Sequence, residues 1–154
     1  MNKKYLASLI FYFFAGIASG LLSLVVLTLI TTYLEKTSLS QSLVLIGIVF
    51  FEETSKLILL WWLFDLIERK IYLSAAFFLA LGFSSLEMSL ILLGKNSLNP
   101  SIIFVFLVHF ATFFSWLWTL YFFRKNKYLP LVFLFSSLAL CLHFFYNLFA
   151  LKYF

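Results

Sequence analysis

The sequence predicts an all-α integral membrane protein: a bundle of about five transmembrane helices, with the N-terminus inside and the C-terminus outside. Three observations carry this expectation. Of the 154 residues, 64% are hydrophobic and 11% charged, against about 25% charged in a soluble domain, and the mean hydropathy is +1.08. The apolar residues fall in runs at about 6–33, 42–64, 71–94, 101–123 and 129–151, and each supplies the ~20 residues needed to cross a ~30 Å hydrocarbon core. Outside these runs, Lys3, Lys4, Arg69, Lys70, Arg124, Lys125 and Lys127 fall on one side and Lys36, Lys95 and Lys152 on the other. The side richer in Lys and Arg is the cytoplasmic one.

The first run follows Met1-Asn2-Lys3-Lys4, which has the charge of a signal-peptide leader. It continues to Tyr33, well beyond an apolar signal core of about 7–15 residues, so it reads as a first transmembrane helix. Ala15, Gly16, Ser19 and Gly20 give it a face of small residues that lets another helix approach closely, within the bundle or in a homodimer. The breaks between runs are Glu35-Lys36-Thr37-Ser38, Asp65 to Lys70, Lys95 to Pro100, and Arg124 to Lys127 with Pro130 beyond. Asn99-Pro100 is a helix-start signal. No stretch suggests a separate soluble domain, so residues 1–154 form a single transmembrane unit. Trp61, Trp62, Trp116 and Trp118 lie toward the same ends of their runs and read as interfacial anchors. Cys141 has no intrachain partner and reads as a small buried hydrophobe. The +5 net charge comes without a basic, aromatic-interleaved polar surface, so no nucleic-acid partner is implied.

The second run contains the anomaly. Glu52, Glu53 and Lys56 interrupt it near its middle, where charge in hydrocarbon costs several kcal/mol. Spacings of three and four residues place them on adjoining parts of one helical face. The other ionisable groups inside runs are Glu87, His109 and His143, the last accompanied by Asn147 four residues on. Glu87 is about seven residues, and each histidine about eight, from the same end of the bundle, ~10–12 Å at the helical rise, with Glu52 and Glu53 at ~15–17 Å. Four helices thus bring polar groups to one zone, and an intramembrane ionisable residue is a functional hypothesis by default.

The series Glu52-Glu53-x-x-Lys56, Gly82-Phe83-Ser84-Ser85-Leu86-Glu87, His109-Phe110 and His143-x-x-x-Asn147 resembles the motifs of the PrsW-type intramembrane proteases, distant relatives of the CAAX prenyl endopeptidases and their bacterial counterparts. The likeness covers residues about 50 to 150. It implies a glutamic-type or metal-dependent membrane endopeptidase in a prokaryotic cell membrane, acting on a membrane-tethered protein or peptide. In this reading Glu52 and Glu53 hold the attacking water, His109 assists, and His143 with Asn147 stabilises the oxyanion. Lys56 and Glu87 support them.

Independently of the likeness, peptide hydrolysis needs a base for water, donors for the oxyanion and an acid for the leaving amine. Two adjacent carboxylates in a low-dielectric site do not both ionise readily, so the pair with Lys56 can supply a charged and a protonated member. Glu52 is the expected base. No cofactor is expected; the alternative is zinc held by His109, His143 and Glu52, since three N/O ligands plus water make a catalytic set. Ser84 and Ser85 with the histidines offer a rhomboid-like serine alternative that leaves the Glu pair unexplained. Asp65 is the only aspartate, which excludes an aspartyl dyad, and no H-E-x-x-H is present. From another class, a small ion- or proton-coupled transporter would use the same glutamates and histidines as a relay. A structural helper protein is the third reading, and it alone would tolerate Gln at position 52.

Overall fold

The structure, a computed structural model, describes residues 3–34, 41–95, 101–125 and 128–153. The loop expected at 35–38, the Asn99-Pro100 helix start and Lys127 lie outside the described residues. Five helices form: α1 (Lys3–Leu34), α2 (Gln41–Leu63), α3 (Tyr72–Lys95), α4 (Ser101–Arg124) and α5 (Leu129–Tyr153). Two short 3-10 turns, Phe64–Leu66 and Arg69–Ile71, join α2 to α3. No strand occurs among the described residues.

Four stretches, Tyr5–Leu29, Arg69–Leu90, Ile103–Arg124 and Leu129–Phe149, are long and apolar enough to cross a membrane, which makes this a multi-pass membrane protein. The 23 residues of α2 extend about 35 Å at the helical rise. It differs from the other four only in carrying Glu52, Glu53 and Lys56 at its centre. Large side chains such as Phe14, Leu29, Phe104 and Phe133 remain on the outer surface, as expected where lipid rather than water covers the bundle. Cys141 is also exposed, on the outer side of α5, which corrects its expected burial: α5 packs only on α4 and α2, and position 141 faces neither.

The helices close a ring in the spatial order α1, α3, α4, α5, α2, with α2 also reaching α4. The tightest approach is between α1 and α3. A Cβ at Gly16 would run into the Leu79 carbonyl, and one at Gly82 into the Phe13 carbonyl. Glycine at these two positions lets the backbones touch. Of the two uses expected for the Gly16/Gly20 face, the structure shows packing within the bundle.

The apolar core occupies the half of the bundle toward the α2–α3 connection. Leu9 and Tyr12 of α1, Leu60 and Leu63 of α2, Ala75, Ala76 and Leu79 of α3, and Phe113, Leu117 and Leu120 of α4 are all buried there. Beyond it, Arg124 at the end of α4 donates to Asp65 Oδ1 at 2.5 Å and to the Trp61 carbonyl at 3.0 Å, while Arg69 lies over the Trp118 and Tyr121 rings. The carbonyl of Trp61, near the end of α2, is thus satisfied by a cation from the neighbouring helix.

Candidate functional site

Above the apolar core, one face of α2 delivers Glu53 and Lys56 into the centre of the ring, both 0% exposed. A buried ammonium is tolerable only if its hydrogens are all engaged. Lys56 Nζ meets Glu53 Oε1 at 2.5 Å, His109 Nδ1 at 2.9 Å and Thr112 Oγ1 at 3.4 Å, with Glu52 Oε1 also at 3.4 Å. It lies 4.6 Å from the centre of the Phe83 ring, so an aromatic face completes its surroundings.

Glu53 is equally engaged. Its Oε1 takes Lys56 and His143 Nδ1, the latter at 2.6 Å, and its Oε2 accepts from the Trp116 indole at 2.6 Å. These partners fix the histidine tautomers. Because an ammonium only donates, His109 Nδ1 accepts, and its Nε2–H donates to Glu87 Oε2 at 2.5 Å. His143 donates from Nδ1 to Glu53; in the neutral ring its Nε2 then presents a lone pair, and that nitrogen faces Glu52 Oε1 at 3.4 Å. The two imidazoles stand edge to face, 5.3 Å apart.

Glu52 is different. Its Oε1 is buried and has no hydrogen-bond partner among the described residues, although Lys56 Nζ, His143 Nε2 and His109 Nδ1 lie at 3.4, 3.4 and 3.8 Å. Its side chain lines a cleft of about 190 Å³, together with Gly20, Ser23, Leu24 and Leu27 of α1 and Phe83, Leu86, Glu87 and Leu90 of α3. On each helix these residues run from the level of Glu52 toward the end that carries the α1–α2 and α3–α4 connections.

The sequence placed Glu52, Glu53, Lys56, Glu87, His109 and His143 in one zone, and the structure joins all six in a single network. Asn147, one turn beyond His143, is half-buried and makes no hydrogen bond to that network among the described residues. Three contributors escaped sequence reading. Trp116 is buried and bonded to Glu53 rather than anchored at the interface, because it lies seven residues, two turns, from His109. Thr112, three residues from His109, shares that face, and both spacings were available in the sequence. Tyr146, three residues from His143, is half-buried and feels the charges of Glu87 and Glu52. Ser85 Oγ donates to the carbonyl of Leu81 in its own helix, and Ser84 Oγ is buried without a partner; neither bonds a histidine.

Glu52, His109 and His143 can bring one ligand atom each to within 4.8 Å of one another. Their fit to a metal is opposed by Lys56, whose Nζ stands 2.9 Å from the one ligand nitrogen and 3.4 Å from the carboxylate oxygen. A resident ammonium thus already pairs with two of the three groups, and a zinc ion beside it would face like charge. Compared with protein families, with curated proteins and with solved structures, the chain finds no match in any of the three, so the chemistry of the site is read from its geometry.

Proposed function

We propose that the protein is an intramembrane endopeptidase that cleaves a membrane-tethered protein or peptide by direct attack of water, with Glu52 as the base. The carrying observation is the orphaned Glu52 Oε1, which faces the His143 Nε2 lone pair at 3.4 Å beside the cleft. Two acceptors so placed need a donor between them, and water can give one hydrogen to each. The water's oxygen then has a lone pair free for a carbonyl carbon in the cleft. As the C–O bond forms, Glu52 takes the water's proton and the carbonyl π electrons move to its oxygen. When the tetrahedral intermediate collapses, the C–N bond breaks and Glu52 returns the proton to the leaving amine.

Glu53 takes no proton in this scheme. Its oxygens are committed to Lys56, His143 and Trp116, and its part is to aim the His143 ring. The N–H groups of His109 and His143 are likewise committed to carboxylates, so the scheme assigns the oxyanion to the Asn147 amide and the Tyr146 hydroxyl, four and three residues beyond His143 on α5. The scheme uses no zinc, because Lys56 already pairs with His109 and Glu52.

The transporter reading draws on the same network, since hydrogen bonds run from Glu87 through His109, Lys56 and Glu53 to His143, next to Glu52. Both carboxylate ends of that chain, Glu87 and Glu52, line one cleft. A relay that begins and ends in one cleft suits local proton handling during hydrolysis better than transfer between two sides.

The test is cleavage of a single-pass membrane substrate by the purified protein in liposomes. Glu52→Gln should lower the rate by about 10²–10⁴-fold, the range for losing a general base, while Ser84→Ala and Ser85→Ala retain activity. Full activity in a folded Glu52→Gln protein would sink the proposal. Loss in a folded serine variant together with fluorophosphonate labelling would move the mechanism to serine.

A further inference from the structure

The cleft beside Glu52 has a shape and lining of its own. Leu24, Leu27, Leu86, Leu90 and Phe83 wall it, and Gly20 and Ser23 leave room on the α1 side. At ~30 Å³ per water, its 190 Å³ hold about six water-sized groups, which is one hydrolytic water plus one apolar side chain. A transmembrane helix does not fit such a volume, but one residue of an unwound segment does. The carboxylates of Glu52 and Glu87 disfavour an acidic side chain. A basic one would pair with Glu52 and displace the water it must hold. Beside that water about 160 Å³ of the 190 Å³ remains, enough for an aliphatic chain or one aromatic ring, since an apolar cavity of about 150 Å³ takes up benzene.

Resting on the hydrolytic reading above, we infer that this cleft is the specificity pocket, that it takes one uncharged apolar side chain, up to the size of Phe, next to the scissile bond, and that Ser23 and Leu24 of α1 set its size. The first helix is then more than scaffold: it forms the wall opposite the catalytic helices. Gly20 belongs to the same wall, because a Cβ there would approach Leu86 Cδ2 to 3.0 Å and push that leucine into the cleft.

The experiment measures kcat/KM on a single-pass substrate series that carries Ala, Val, Leu, Phe, Lys or Asp at the residue before the cut, using the full chain in liposomes. The wild type should prefer Leu, Val and Phe over Ala by at least about tenfold, the usual discrimination in an apolar pocket, and cleave the Lys and Asp substrates least. Ser23→Leu, which fills the pocket, should move the preference to Ala. Leu24→Ala, which enlarges it, should raise Phe cleavage relative to Leu by about tenfold. Opposite shifts from the two variants cannot come from general loss of fold. A flat profile in the wild type, a preference for Lys, or variants that lower every substrate equally would overturn the pocket assignment while leaving the endopeptidase reading intact. Absence of cleavage for the whole series would overturn both.

Discussion

The Lys56 ammonium donates to His109 Nδ1 at 2.9 Å, and this contact fixes the direction of every hydrogen bond around it. It commits the other ring nitrogen to Glu87, forbids His109 from offering that lone pair to a metal, and leaves Glu53 as the counter-charge. Lys56→Met should therefore destabilise the protein strongly, because Glu53 would remain charged in a dry interior with only His143 and Trp116 to balance it. Removal of one partner from a buried pair costs about 3–5 kcal/mol. Thermal unfolding in detergent measures this. An unfolding temperature within a degree or two of the wild type would show that the ion pair is not what holds α2 in place.

The same ammonium argues for a reaction that needs no metal. Treatment with a strong chelator such as phenanthroline should leave cleavage unchanged, and elemental analysis of the purified protein should find zinc far below one per chain. Inactivation by chelator with recovery on adding zinc would require Lys56 to swing away and Glu52, His109 and His143 to close on the ion.

Trp116→Phe removes one donor from Glu53 while keeping an aromatic ring in the core. The loss of a hydrogen bond to a buried charged group costs about 1.5–3 kcal/mol. Stability should fall by that order, and activity should fall with it because Glu53 orients His143. Trp118→Phe is the comparison. Trp118 packs against Tyr72, Tyr121, Phe122 and Phe135 and does not touch the polar network, so its substitution should leave turnover close to normal. Equal losses of turnover in the two variants would mean that aromatic bulk, rather than the indole N–H, is what Glu53 needs.

Much of the fold was legible because the bilayer imposes a length scale on apolar runs: all five expected helices form, with ends within about three residues of the expected ones. The polar cluster was legible for the same reason, since Glu52, Glu53, Lys56, Glu87, His109 and His143 stand out against hydrocarbon and share a depth. Trp116 and Thr112 were hidden because neither is anomalous in a membrane helix; only their spacing from His109 marks them. Glu52 was the expected base, but the different surroundings of the two glutamates were out of reach. Helical spacing places both near Lys56, but rotation about α2 turns Glu53 into the ring and Glu52 toward the cleft. The Nδ1 contact of His143 with Glu53 was hidden for a related reason: it is a contact between helices that spacing along one helix cannot show.

The direction in which the cleft opens can be tested together with orientation. From Glu52 the lining passes through Leu86, Glu87 and Leu90 on α3 and Leu24 and Leu27 on α1, toward the end of the bundle opposite Arg69 and Arg124. The N-terminus-inside orientation expected from the Lys and Arg distribution would put that end outside the cell. In a Cys141→Ser background, Leu90→Cys should react in intact cells with a membrane-impermeant thiol reagent, and a substrate peptide should slow the reaction. Lys125→Cys, at the opposite end, should react only after the cells are opened. Position 90 is chosen because Leu90 lines the cleft without belonging to the polar network, so its labelling reports access and not damage to the site. The reverse pattern, with position 125 labelled in intact cells and position 90 protected, would turn the protein over in the membrane. Its substrates would then be cut on the cytosolic side, where a prenylated or C-terminal peptide becomes the chemistry to test.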